Sequence, residues 1–232
     1  MNASLDRLAL GRCPEPTEGR CALRSMGTFR DLSGKVGRVE VLRCETCGLG
    51  ISYPLLEDVR FLYEGRLSQD FQQTPSRVAH FIKRIAFRRQ ARDLLQDADF
   101  APRRVLDFGC GSGLFTRVLG DLLPGTEVVG TDFESDPPPD LLDRPYRPMA
   151  ALAEARGEFD LVIALHVLEH DDDALGLLAR IATSLGPGGV LVLEVPNIDC
   201  VWTDVLGKAW DAWYLPTAVC WRAPTCALRR RS

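Results

Sequence analysis

The residues of this chain with the clearest chemical potential lie between Asp107 and Gly113. Asp107 follows the apolar pair Val105 and Leu106, and glycines then occupy alternate positions up to Gly113. The apolar pair predicts the end of a buried strand, and helical spacing of apolar residues after Gly113 predicts a helix. A strand that turns into a helix through glycines brings backbone N–H groups close to a ligand. We therefore predict a ligand-binding turn here.

The glycine spacing separates several kinds of nucleotide site. The dinucleotide fingerprint is G-x-G-x-x-G, with pyrophosphate over the helix N-terminus. This chain has G-x-G-x-G preceded by Asp107, which would repel a pyrophosphate and suits a cation. No Gly-Lys-Ser/Thr follows, which excludes a Walker loop. A glycine-rich turn without a ligand is the alternative.

A second acid stands at the end of the next predicted strand, Glu127–Asp132. In a βαβ unit, an acid about 20 residues beyond the first glycines can accept hydrogen bonds from ribose hydroxyls. A surface aspartate that caps a turn is the alternative interpretation of Asp132. The two acids together favour a ligand that contains a nucleoside.

The turn resembles motif I of class I S-adenosylmethionine-dependent methyltransferases, and the likeness extends over Arg103 to Asn197. It includes the phrases FDLVIALHVLEH and LGPGGVLVLEVPN. The resemblance implies an α/β fold with a Rossmann-like sheet, and a cofactor whose methionine end lies over the glycine turn. The residues that it assigns to S-adenosylmethionine are Asp107, Gly109, Cys110, Gly111, Gly113, Asp132, Phe133, Leu165, His166 and Glu169.

A histidine cluster follows the predicted buried strand Phe159–Leu165. His166-x-x-Glu169-His170 is formally the inverted zinc-peptidase pattern, which needs both histidines on one helical face. Here the pattern precedes a new helix, predicted over Ala174–Leu185, so we place it in a loop or a single turn. In the resembled family this loop lines the cleft, where His170 would act as the base, with His166 as the second candidate. The alternative is that both histidines only position the loop.

Other elements are predicted around these residues. An apolar stripe predicts a helix over Ser76–Asp97, and Val190–Val195 is the fifth strand in family order. Pro137, Pro138 and Pro139 interrupt the interval in which the family has a third strand, and no clear third strand is visible. The resemblance places the adenine near Met149, Ala150 and Ala151, which offer no carboxylate for the adenine amine.

Four cysteines near the start suggest a metal. Cys44 and Cys47 form a C-x-x-C-G knuckle after an alternating segment, whereas Cys13 and Cys21 are farther apart than the usual zinc pair. Residues 41–63 resemble the N-terminal ribbon of bacterial small-molecule methyltransferases. That likeness implies a zinc-ribbon-like module with these cysteines as the ligand set. A ribbon that has lost its metal, or two unrelated thiols, is the alternative.

The end of the chain departs from the family pattern. Family members add a further helix and two strands beside the fifth strand, whereas the segment TAVCWRAPTCALRRRS has no recognisable periodicity. We expect a C-terminally truncated domain, incomplete after the fifth strand, which would lie at the sheet edge. The predicted division is a zinc-ribbon-like segment (1–55), a helical linker (56–98), the cofactor-binding domain (99–200) and an irregular tail (201–232).

Composition limits the classes of partner. The chain has 232 residues, 46% of them hydrophobic, and a net charge of −4. This balance gives no overall electrostatic case for nucleic acid or an anionic membrane. The first residues lack a signal-peptide h-region, and no apolar run has the length of a membrane span. We expect a soluble cytoplasmic protein with neither partner, and the oligomeric state is not indicated.

The function that these features predict is methyl transfer to an O, N or C nucleophile of a small molecule. No Asn/Asp-Pro-Pro-Tyr block follows the fourth strand, which disfavours amino methylation of nucleic-acid bases or protein glutamine. The alternative is a catalytically impaired cofactor-binding or interaction protein derived from this fold. A zinc-ribbon nucleic-acid binder is a third hypothesis, disfavoured because no basic surface interleaved with aromatic residues is apparent.

Overall fold

The computed structural model describes residues 23–30, 37–45, 48–53, 76–98, 100–171, 174–197, 219–220 and 226–229. The chain divides into two compact units. The first comprises residues 1–62, 166–178 and 195–224, and the second comprises residues 63–165, 179–194 and 225–232. Cys13, Cys21 and Cys47 of the predicted zinc site lie outside the described residues.

From residue 77 to residue 194 the described elements include the predicted succession of strands and helices, and three strands precede them. Before the glycine turn they are β1 (Leu23–Arg30), β2 (Arg38–Cys44), β3 (Gly50–Tyr53), α1 (Arg77–Ala98) and β4 (Arg104–Phe108). After it they are α2 (Leu114–Leu122), β5 (Glu127–Asp132), β6 (Tyr146–Pro148), a 3₁₀ helix (Met149–Glu154), β7 (Phe159–Leu165), a 3₁₀ turn (Leu168–His170), α3 (Ala174–Thr183), β8 (Leu185–Glu194), β9 (Val219–Cys220) and β10 (Cys226–Arg229).

The first unit contains a four-stranded sheet in the order β1-β2-β3-β9, with each neighbouring pair antiparallel. Alternation along β2 buries Val39 and Val41 on one face, as a hairpin strand with one covered face requires. Cys44 ends β2, and its N–H donates to the carbonyl of Leu49 at 2.8 Å. The alternating segment before the knuckle is therefore a strand, paired antiparallel with β1 and β3.

The second unit contains a six-stranded sheet in the order β10-β8-β7-β4-β5-β6. The five strands from β8 to β6 are parallel, and β10 is antiparallel to β8. Leu161 and Ile163 of β7 pack with Val105 of β4 in the core. Burial on both faces explains why β7 is a nearly continuous apolar run, which made its bounds predictable.

Two predictions about this sheet are wrong. A third strand exists, because Tyr146–Pro148 pairs in parallel with β5. The fifth strand is not at the sheet edge, because Cys226 pairs with Leu193 and the register continues to Arg229 and Val190. The expected irregular tail therefore contains a strand that covers the apolar edge of β8, and a second short strand in β9.

Helix α1 packs beside α2 on the second unit's sheet. Ala91 and Leu94 are buried in the core, and the Phe87 ring meets Phe115 of α2 edge-to-face, with ring centroids 5.4 Å apart. The bounds of the predicted helix Ser76–Asp97 are confirmed to within one residue at each end. Among the described residues, no helix combines the length and apolar character of a membrane span.

Candidate cofactor site and histidine turn

The glycine turn is tied to the neighbouring strand by its backbone. The N–H groups of Gly109 and Cys110 both donate to the carbonyl of Thr131 on β5, at 2.9 and 3.0 Å. The N–H of Gly113 donates to the carbonyl of Cys110 at 2.9 Å, which closes the turn before α2. Gly109, Gly111 and Gly113 have φ of 77°, 55° and 82°. This left-handed backbone favours glycine and explains the alternate spacing.

The glycines differ in what surrounds them. A Cβ atom added at Gly113 would lie 2.7 Å from Leu141, so protein already fills that position. A Cβ atom added at Gly111 would meet no described atom within 4 Å. Gly111 is therefore the point of the turn where a ligand can approach the bare backbone.

Asp132 links the end of β5 to the glycine turn. Its carboxylate accepts hydrogen bonds from the N–H of Gly111 at 2.9 Å and of Phe133 at 2.8 Å. The side chain is buried, and burial raises its pKa while the two backbone donors oppose that rise. A carboxylate has about four lone-pair sites, so capacity remains for ribose hydroxyls. The structure thus places the predicted ribose acid directly against Gly111.

Asp107 lies on the strand side of the turn. It is buried, and its Oδ2 accepts a hydrogen bond from Thr116 Oγ1 of α2 at 2.6 Å. Burial raises the pKa of Asp107 to about 7; the Thr116 bond opposes this and the charge of Asp132 adds to it. The bond between Asp107 and Thr116 therefore connects β4 to α2. Direct contact of Asp107 with a ligand remains a prediction. Sequence reasoning missed Thr116, whose only signal was its place one turn into the helix after the glycines.

Cys110 is a buried thiol inside the turn. Burial raises its pKa, and the charges of Asp107 and Asp132 raise it further. A thiol that keeps its proton is a poor nucleophile and a poor metal ligand. Cys110 can contribute shape and backbone to the site, and its reactivity is suppressed.

The segment after β5 closes over the glycine turn. The N–H of Asp140 donates to the carbonyl of Ser112 at 3.0 Å. The buried carboxylate of Asp140 lies 3.4 Å from His80 Nε2 on α1. Tyr146 donates its hydroxyl to the carbonyl of Glu134 at 2.5 Å. Residues 133–145 form bends and turns, which these contacts hold against the glycine turn and α1.

The predicted adenine residues lie beside the ribose acid. Pro148 of β6 is the register partner of Asp132, and Met149 follows it at the start of the 3₁₀ helix. Met149 is half-buried, whereas Ala150 and Ala151 are exposed. The carboxyl ends of β5 and β6 therefore meet where a nucleoside would extend from Asp132 toward Met149.

The histidine turn begins where β7 ends. Leu165 is the last residue of β7, and Ala164 before it pairs with Phe108, the residue before Gly109. His166 follows with a φ of 55°, a left-handed conformation that costs a residue other than glycine about 1–3 kcal/mol. Such strain in a loop at the carboxyl end of a parallel strand is a pointer to function.

A hydrogen bond joins the first histidine of the pattern to its glutamate. His166 Nδ1 lies 3.2 Å from Glu169 Oε1, and Glu169 is 1% exposed whereas the His166 side chain is 55% exposed. Glu169 and His170 belong to the single 3₁₀ turn Leu168–His170, and His170 is half-buried. The prediction of a loop or single turn is confirmed. Because the peptidase pattern needs both histidines on one helix face, this turn disfavours a peptidase.

The structure brings the predicted site residues together in two groups. The second unit places around the glycine turn Asp107, Gly109, Cys110, Gly111, Gly113, Asp132 and Phe133, with Leu165 at the end of β7. The first unit holds His166, Glu169 and His170. Cys44 is buried at the end of β2, and no cluster of three or more metal-ligating side chains occurs among the described residues.

Comparison with known proteins shows which family the chain resembles in sequence. Residues 72–230 match the sequence model of a family described as a methyltransferase domain. A protein named ubiquinone biosynthesis O-methyltransferase from Ruegeria sp. (strain TM1040) is 35% identical over 46% of this chain and 46% of that protein. A protein of the same name from Cereibacter sphaeroides (strain ATCC 17029 / ATH 2.4.9) is 29% identical over 66% of this chain and 65% of that protein. The matched region is thus less than two thirds of the length of these curated relatives.

Among solved structures, one described as PigF with SAH has a TM-score of 0.48 and 17% sequence identity. The alignment covers 70% of this chain and 51% of that chain.

Proposed function

The chain belongs to the methyltransferase domain family, and we propose that it transfers a methyl group from S-adenosylmethionine to a small-molecule acceptor. The observation that supports this most directly is the pairing of an open Gly111 with the buried carboxylate of Asp132, 2.9 Å apart. The names of the relatives favour oxygen as the accepting atom. Nitrogen and carbon nucleophiles remain the other acceptor classes.

The cofactor would be held by groups at the carboxyl ends of three neighbouring strands. The backbone at Gly111 would accommodate the methionine portion, Asp132 the ribose and Met149 the adenine edge. S-Adenosylmethionine, when bound, supplies an electrophilic methyl group on a sulfonium. The chain's own contribution is to fix the partners in line and to exclude water, which supplies much of the rate in such a displacement.

We assign the proton-accepting role to His166, positioned by Glu169. In a neutral imidazole one nitrogen donates and the other accepts. Glu169 Oε1, 3.2 Å from Nδ1, favours the tautomer with its proton on Nδ1, which leaves Nε2 as the acceptor. When an acceptor hydroxyl gives its proton to Nε2, the imidazolium lies next to the carboxylate of Glu169, which stabilises it. His170, half-buried beside the turn's own backbone, would position the loop.

The alternative of a catalytically impaired cofactor-binding protein is motivated by the interval that Pro137, Pro138 and Pro139 interrupt, in which residues 133–145 form bends and turns. One experiment separates the two functions. Calorimetric titration with S-adenosylmethionine tests cofactor binding, and transfer of a labelled methyl group to hydroxylated aromatic and aliphatic acceptors tests activity. Binding with transfer supports the enzyme, binding without transfer to any acceptor supports the alternative, and absence of binding contradicts both.

We also propose that Cys13, Cys21, Cys44 and Cys47 bind one structural zinc ion. The buried position of Cys44 at the hairpin end of β2 supports this, because ribbon sites lie at such ends. Elemental analysis of chain purified without chelators should find about one zinc per chain, the stoichiometry of a four-thiolate site. Cys44→Ser should lower that content, and Cys110→Ser is the matched control. Metal-free chain would favour a ribbon without its metal.

A further inference from the structure

Helix α1 has an exposed apolar stripe on the side away from the core. Val78, Phe81, Ile82 and Ile85 are 68%, 62%, 61% and 55% exposed. Their spacing of three and four residues places them on one helix face. The other exposed large apolar side chains of the described residues are scattered, at Tyr53, Phe133 and Leu142. The stripe is therefore a local concentration of apolar surface.

The packed face of α1 is a different one. Ala91 and Leu94 are buried in the core, His80 approaches Asp140, and Arg84 pairs with Asp121 at 3.0 Å. At 100° per residue these side chains lie on the opposite side of the helix from the stripe. The exposed stripe is thus not needed to hold α1 on the sheet.

Arginines lie beside the stripe and beyond its C-terminal end. At 100° per residue, Arg77 and Arg88 lie along one edge of the stripe, and Arg89 and Arg92 continue its face on the following turns; all four side chains are exposed. Lys83 lies on the other side of the helix, with its Nζ 5.4 Å from the centroid of the Phe87 ring. The first acid of the helix is Asp93, after the stripe ends. A chain with a net charge of −4 therefore presents on this face an apolar surface with arginines along one edge and at its C-terminal end.

We propose that this face of α1 binds the surface of a membrane that contains anionic lipids. A helix with an apolar face flanked by lysine and arginine lies in the membrane interface, with apolar side chains inserted and cations on the headgroups. The expectation of no membrane partner rested on the net charge of the whole chain, whereas the charge that faces a membrane is that of this helix. The proposal goes beyond the methyltransferase function and does not depend on it.

Charge also decides between a membrane and a second copy of the chain. A two-fold dimer through this face would bring the same patch of both copies together. Arg89 and Arg92, which share the face of the stripe, and Arg88 at its edge would then lie against the same cationic patch of the other copy, which is unfavourable. Anionic headgroups complement the same cations.

The test is sedimentation of the whole chain with vesicles. We expect it to bind vesicles of phosphatidylcholine mixed with phosphatidylglycerol, and to bind phosphatidylcholine alone weakly. Phe81→Gln combined with Ile82→Gln should lower binding by about tenfold or more, since both lose inserted apolar area. Arg88→Gln combined with Arg89→Gln should lower it by about tenfold or more and weaken its salt dependence. Leu142→Gln, an exposed apolar site outside α1, should leave binding unchanged.

Circular dichroism should show that each variant remains folded. Failure of the wild type to bind anionic vesicles at low salt would overturn the proposal, as would equal binding to both vesicle types. Equal loss of binding in Leu142→Gln would also overturn it, because the effect would not be specific to α1. A light-scattering mass of a dimer that Phe81→Gln with Ile82→Gln converts to a monomer would assign the stripe to self-association instead.

Discussion

The glycine turn and the histidine turn both follow the carboxyl end of a parallel strand, yet they are built in opposite ways. At the glycine turn, the carboxylates are buried and already bonded: Asp107 to Thr116, and Asp132 to the backbone of Gly111. At the histidine turn, the acid is buried but the imidazole of His166 is more than half exposed, and its backbone is strained. The first arrangement suits a binding site formed in advance, and the second suits a group that exchanges a proton.

The first prediction separates space from strain at the glycine turn. Gly111→Val should lower the affinity for S-adenosylmethionine at least a hundredfold, because a branched side chain would occupy the space beside the turn and disfavour a φ of 55°. Calorimetry is the measurement. Gly125→Val is the matched control, since Gly125 has a φ of 85° and no described atom within 4 Å of an added Cβ. Equal loss of affinity in both variants would mean that strain, and not ligand space, is responsible.

The second prediction concerns the histidine turn. His166→Asn should lower kcat about 10²–10⁴-fold, the usual contribution of a general base, and leave the cofactor Kd nearly unchanged. Glu169→Gln should lower kcat less and shift the pH at which activity is half-maximal, since an amide stabilises the imidazolium less. His170→Gln is the comparison variant, with a smaller loss. If His170→Gln loses activity on this scale while His166→Asn keeps most of its activity, the base is His170.

The parts of the fold that could be predicted from the sequence are those in which burial directly determines the residue types. Strand β7 has its predicted bounds, because burial on both faces selects a nearly continuous apolar run. Strand β5 also has its predicted bounds, which enclose its two valines and end at the acid. Strand β6 escaped prediction because Tyr146, Arg147 and Pro148 have no apolar pattern. Their extended form comes from pairing with β5. Likewise, β10 has no alternation to recognise, and pairing with the edge of β8 defines it.

The candidate site divides in the same way. The glycines and Asp132 were identifiable because local backbone geometry restricts the residue types at those positions. The bond between Asp107 and Thr116 was not, because it depends on how α2 packs over β4 and neither residue type requires the other. The bond from His166 to Glu169 spans three residues, yet the sequence offered two histidines near this acid, and the left-handed turn at His166 that precedes the contact is not readable from residue types.

The third prediction tests whether Asp132 serves the ligand or only the turn. Asp132→Ala should weaken cofactor binding by about 1–3 kcal/mol, the range for a lost buried hydrogen-bonding partner. Asp132→Asn is the variant closest in shape, because its amide oxygen can still accept from the Gly111 N–H, whereas its NH₂ group can accept from neither the Phe133 N–H nor a ribose hydroxyl. Calorimetry with S-adenosylmethionine and with methionine alone would distinguish the roles. A purely structural Asp132 would lower the affinity for both ligands equally.

The last prediction uses the pH dependence of stability to test whether the buried Asp107 of the glycine turn has a raised pKa. Burial raises the pKa of Asp107 to about 7 in the folded chain, against about 4 when unfolded. Between those values the folded state binds more protons, so the free energy of unfolding should fall as pH rises from about 4 to about 7. Asp132, whose pKa is also raised, acts in the same direction. Urea unfolding at several pH values should show that Asp107→Asn flattens this fall by about 3 kcal/mol.

Thr116 supplies the control for that experiment. Its hydroxyl lowers the pKa of Asp107, so Thr116→Val should raise that pKa further and make the fall in stability steeper at its upper end. A variant series in which Asp107→Asn leaves the pH dependence unchanged would show that Asp107 is already ionised throughout this range. The glycine turn would then contain a buried negative charge. It would differ from the histidine turn in the burial of its ionised group, and not in whether that group is ionised.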